Sequence, residues 1–121
     1  MSKELPITLE GSGLKIAIAV AKFNELISRK LLEGAEKTLL SLGLSPNDIL
    51  VAWAPGSFEL ATIAKQFAMS NKFDAVICLG TIIRGETPHF DYVAGGAASG
   101  ISSVGLETGV PVIIGVPTTE T

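Results

Sequence analysis

Four short apolar runs divide the chain, at residues 15–21, 49–54, 75–81 and 112–116, and none of them alternates with polar positions. Unbroken runs of this length suit strands buried on both faces of a parallel sheet, where neither face meets water. Between the runs the period becomes helical. Ile27, Leu31, Ala35, Leu39 and Leu42 recur at spacings of four and three, which puts them on one stripe of a first helix. Asn24 is its expected N-cap. Gly43 is the expected stop, and Ser45-Pro46-Asn47-Asp48 supplies turn chemistry back to the next run. A second helix is expected over 57–69, entered through Ala54-Pro55-Gly56-Ser57 and burying Phe58, Ala61, Ala64 and Phe67 or Ala68. A third is expected over 91–107, with Val93, Ala97, Ile101 and Val104 inward. Its Gly95, Gly96 and Gly100 each cost about 1 kcal/mol against alanine. The same small residues let another helix approach closely, and that packing offsets the cost.

The order strand, helix, strand, helix, strand, helix, strand predicts a three-layer α/β/α sandwich around a doubly wound, mainly four-stranded parallel sheet of the flavodoxin-like kind. A short extended stretch at 7–9 precedes it, suited to join the sheet edge of a neighbouring subunit. No repeat, low-complexity stretch or break in composition divides residues 1–121, so one domain is expected. Three helices are one too few to cover both faces of such a sheet, so an apolar patch is expected to need a partner. Ligands of these sheets sit outside the carboxyl ends of the strands. That rule nominates residues 21–24, 54–59, 80–90 and 116 onward.

Composition narrows the choice of ligand. The 121 residues are 47% hydrophobic with a mean hydropathy of +0.48, yet no apolar stretch reaches the roughly 18 residues of a membrane span. No secretory signal opens the chain, and a cytoplasmic protein is expected. The single cysteine, Cys78, lies inside an apolar run and reads as an inert core thiol. The net charge is −3, with the cations scattered rather than striped. This disfavours nucleic acid and points to a small molecule.

The chemistry gathers in residues 81–90, Thr81-Ile82-Ile83-Arg84-Gly85-Glu86-Thr87-Pro88-His89-Phe90. Backbone N–H groups from Gly85 to Thr87 suit an anion-binding nest. His89, the one histidine, stands ahead of the third helix where an imidazole can move protons near neutral pH. A lone histidine is nonetheless often structural, and Glu59 reads equally well as a first-turn carboxylate favouring the helix dipole.

Phe23-Asn24, Pro55-Gly56-Ser57-Phe58-Glu59 and Arg84-Gly85-Glu86-Thr87-Pro88-His89-Phe90-Asp91 resemble, in order, the three signature segments of the lumazine synthases. The resemblance runs from Gly11 to Thr121. It implies condensation of a ribitylamino-uracil with a four-carbon sugar phosphate in riboflavin biosynthesis, without cofactor or metal. It implies that Phe23 stacks on the uracil and that Ser57, Phe58 and Glu59 meet the ribityl chain. Backbone groups of Thr81, Ile82 and Ile83 would read the uracil edge. Gly85, Glu86 and Thr87 would hold phosphate, and His89 would carry protons. Arg84 is left to pair with acids such as Asp91. Gly95-Gly96-Ala97-Ala98 would serve assembly around a fivefold axis, in a pentamer or a pentamer-based shell with sites between subunits.

Three departures stand out. Ile114, at the wall of the neighbouring subunit's site, replaces a usual phenylalanine, and Pro117 a usual leucine or isoleucine. Family members also continue past the position of Thr121 with two helices that cover part of the sheet and supply an arginine and a lysine. The expectation is that these 121 residues alone aggregate or turn over poorly, with a raised sugar-phosphate KM. The alternatives are an archaeal-type riboflavin synthase, which dismutates the lumazine, and a non-catalytic ligand-binding or cage-forming scaffold.

Overall fold

A computed structural model describes residues 10–22, 25–56, 59–80, 82–83, 89–115 and 118–119, with the backbone alone at 82–83, 89–98 and 118–119. Four strands, β1 (Ile16–Ala21), β2 (Ile49–Ala54), β3 (Ala75–Leu79) and β5 (Val112–Gly115), form a parallel sheet in the order β2-β1-β3-β5. Helices α1 (Glu25–Ser41), α2 (Leu60–Met69) and α3 (His89–Thr108) connect them. The fold is the expected doubly wound, flavodoxin-like α/β arrangement.

The strands differ sharply in what they present to each face. Ala17, Ala19 and Ala21 of β1 share one face with Val76 and Cys78 of β3 and Ala54 of β2. So many small side chains let two helices sit close. Leu60, Ala64 and Ala68 of α2 and Ile101 and Val104 of α3 complete that core. The other face carries Ile16, Ile18, Val20 and Leu79, against which α1 packs Leu32, with Leu44 from the turn that follows. Leu31, Ala35, Leu39 and Leu42 lie there half-buried, as the helical spacing implied.

The α2–α3 contact accounts for Gly100 of α3. A Cβ on Gly100 would stand 3.1 Å from the Ala61 Cβ. Ala61 therefore faces α3, half-buried, while Leu60 takes the fully buried place the periodicity gave to Ala61. Ala68 is buried, and Phe67 lies at the core's edge, its ring 5.4 Å from Phe73 in an edge-to-face pair.

The turn after α1 forms as expected. Gly43 sits at φ 102°, a left-handed conformation that glycine adopts without a steric cost. Ser45 then accepts a hydrogen bond from the Asn47 N–H at 3.4 Å and caps a single 3₁₀ turn, Pro46–Asp48.

Several boundaries move. β1 starts at Ile16, not 15, and β3 stops at Leu79, not 81; β5 is described to Gly115, with 116 outside the described residues. α3 runs from His89 to Thr108, so His89 is its first residue rather than a residue ahead of it. The expected loop 81–90 contains a two-residue strand, β4 (Ile82–Ile83), paired in parallel with β6 (Thr118–Thr119). α2 is described from Leu60, where 57 was expected. The Asn24 cap and the stretch at 7–9 lie outside the described residues.

The outer strands keep apolar side chains in water: Leu50 of β2 is 51% exposed, and Ile113 and Ile114 of β5 are 48% and 42% exposed. Apolar side chains of both edge strands thus keep contact with solvent. Among the described residues no helix is long and apolar enough to cross a membrane.

Candidate functional site at the carboxyl edge of the sheet

Parallel pairing sets the strand ends level. Ala21 is opposite Ala54, Val20 opposite Leu79, and Leu79 opposite Gly115. The first loop residues continue the ladder: the Lys22 N–H donates to the Ala54 carbonyl at 2.7 Å and the Gly80 N–H to the Gly115 carbonyl at 3.2 Å. From β1 the chain leaves toward α1 on one face, and from β3 it leaves toward α3 on the other. Between β1 and β3 lies the switch point where sheets of this kind open a crevice.

Every segment singled out in the sequence follows one of these strand ends. Phe23, Ser57, Phe58, Thr81, Gly85, Glu86 and Thr87 lie outside the described residues. Ile82 and Ile83 form β4, just beyond the end of β3. His89 opens α3. Ile114 pairs with Cys78 one residue before the end of β5 and is partly exposed.

Glu59 is the described site residue whose local geometry is richest. Its N–H donates to the Gly56 carbonyl at 3.3 Å, closing a turn between β2 and α2. Its backbone takes the N-cap position of α2 at φ −79°, ψ −10°, and its side chain makes no capping hydrogen bond. The carboxylate instead lies back over the turn, its Oε2 3.2 Å from where a Cβ on Gly56 would be. Glu59 is exposed.

Charge near this edge is sparse among the described residues. Arg29 in α1 is engaged, 3.1 Å from Glu25 and with its guanidinium carbon 5.0 Å from the centre of the Trp53 ring. Lys22 is an exposed cation directly after β1. Cys78 is buried, and desolvation pushes its thiol up to about 11, which keeps it protonated and inert as expected. A broad open groove of about 790 Å³ lies at the opposite, amino edge of the sheet, lined by Lys15, Asp48, Lys72 and Asp74 among others. None of the expected site residues lines it.

Compared with known families, residues 13–121 match the family described as 6,7-dimethyl-8-ribityllumazine synthase.

Proposed function

This chain belongs to the 6,7-dimethyl-8-ribityllumazine synthase family, and from that premise we propose that it condenses 5-amino-6-(D-ribitylamino)uracil with 3,4-dihydroxy-2-butanone 4-phosphate. The products are 6,7-dimethyl-8-ribityllumazine, phosphate and water. The observation that carries this reading is the level register of the strand ends, after which all the signature segments follow.

The chemistry asks little of the protein beyond placement and proton traffic. The uracil's amine adds to the ketone and loses water to form a Schiff base; phosphate is eliminated; the ribitylamino nitrogen closes the ring with loss of a second water. Holding two reactants in one geometry removes much of the entropic barrier. Phe23 stacks on the flat heterocycle in this proposal, a contact worth roughly 0.5–1.5 kcal/mol beyond the buried area. Ser57, Phe58 and Glu59 hold the ribityl chain, and the backbone of Thr81, Ile82 and Ile83 reads the uracil edge.

The phosphate subsite gains support from α3 starting at His89. Gly85, Glu86 and Thr87 lie two to four residues ahead of the described start of a 20-residue helix, and a helix N-terminus favours an anion through its unpaired N–H groups and dipole. His89, at that terminus, moves the protons. Ile114 contributes to the wall of a neighbouring subunit's site, in a homo-oligomer built on pentamers.

The test is a product inventory. Given both substrates, with sugar phosphate in large excess, the protein should release lumazine and inorganic phosphate in equal amounts, faster than the protein-free mixture. Riboflavin formed from lumazine alone would instead identify a riboflavin synthase. Binding without acceleration would identify a scaffold.

A further inference from the structure

Gly56 does not owe its identity to backbone strain. Positive φ among the described glycines occurs at Gly13, Gly43 and Gly109, so the backbone at 56 accepts an L side chain. What its missing Cβ leaves open is occupied by one group. A Cβ built at 56 would stand 3.2 Å from Glu59 Oε2 and 4.0 Å from its Cδ, with no other described heavy atom within 4 Å. The N–H of Glu59 bonds the Gly56 carbonyl across the same turn, which fixes the two residues relative to each other. The Glu59 side chain takes no part in capping α2.

We propose that Gly56 is a positioning residue for the Glu59 carboxylate, leaving the space in which that carboxylate folds back over the turn to receive the vicinal hydroxyls of a polyol chain. The inference rests on the reading of Glu59 as a ribityl contact and adds the device that sets its position. A carboxylate is an acceptor only, and its two oxygens can take hydroxyl donors from neighbouring carbons. Hydroxyl-to-carboxylate bonds are short, about 2.5–2.7 Å. A displacement of a few tenths of an ångström therefore lengthens them appreciably. Any side chain at 56 forces such a displacement, and because the obstructed atom ends a flexible side chain, the carboxylate moves and the fold does not.

A double-substitution cycle read by calorimetric titration with 6,7-dimethyl-8-ribityllumazine tests this, with 6,7,8-trimethyllumazine as the probe lacking a polyol. Gly56→Ala should weaken binding of the ribityl compound roughly tenfold, the scale of a lost hydrogen bond to a charged group, with an unchanged melting temperature. In a Glu59→Ala background the same change should cost nothing further, and the trimethyl compound should bind parent and Gly56→Ala equally. An equal loss in both backgrounds, or a loss shared by the trimethyl compound, would overturn the positioning role while leaving Glu59 as a ribityl contact. Unchanged affinity in Glu59→Ala alone would overturn the underlying reading of Glu59, and the inference with it.

Discussion

His89, the first described residue of α3, is the residue on which the proposed chemistry turns. Proton transfer by a placed side chain contributes about 10² to 10⁴-fold to a rate. His89→Ala should therefore lower kcat within that range while leaving lumazine affinity within about twofold, since the reading assigns it no part in holding the product. Steady-state kinetics paired with a product titration checks this, and an unchanged kcat removes His89 from the proton path. The sequence nominates Glu59 through its resemblance to a family signature, and His89 through that signature and its place in the loop after the third apolar run. What spacing could not convey was the fold-back of the Glu59 carboxylate over Gly56, because the direction of a side chain leaving a turn depends on backbone dihedrals that a pentapeptide leaves open.

Among the elements, α3 shows how packing overrides propensity. Its glycines argue against a helix, yet α3 spans His89 to Thr108 and packs so closely on α2 that Gly100 leaves no comfortable room for a Cβ. In α1, by contrast, nothing lies within 4 Å of a Cβ on Gly34. Gly34→Ala should stabilise the protein by roughly 0.5–1 kcal/mol through helix propensity. Gly100→Ala should fall short of that by at least about 1 kcal/mol, because two helices must part to admit the methyl. Denaturant titration of both variants decides it, and equal gains would mean the α2–α3 contact is looser than described. The four strands of the main sheet and helices α1 and α2 are legible from hydrophobic period. The early start of α3 was not: a proline just ahead of a first turn does not oppose a helix, since its missing N–H would have had no intrahelical partner there. The β4–β6 pair was hidden for another reason, as a two-residue strand exists only through a partner distant in sequence.

On the scale of the whole molecule, the sheet's edges carry the argument. Leu50, Ile113 and Ile114 are each between two-fifths and just over half exposed on the outer strands, a cost in water that burial against a partner removes at about 25 cal/mol per Å². The protein should sediment as a species larger than a monomer at micromolar concentration; a monodisperse monomer would contradict the proposed assembly. The central claim is the place of the site, and hydrogen exchange with and without saturating 6,7-dimethyl-8-ribityllumazine tests it most directly. Protection should appear in peptides covering residues 54–60 and 80–90, at the carboxyl edge, and be absent from peptides covering 44–50 and 70–75. Protection confined to that amino edge, where the open groove lies, would contradict the account.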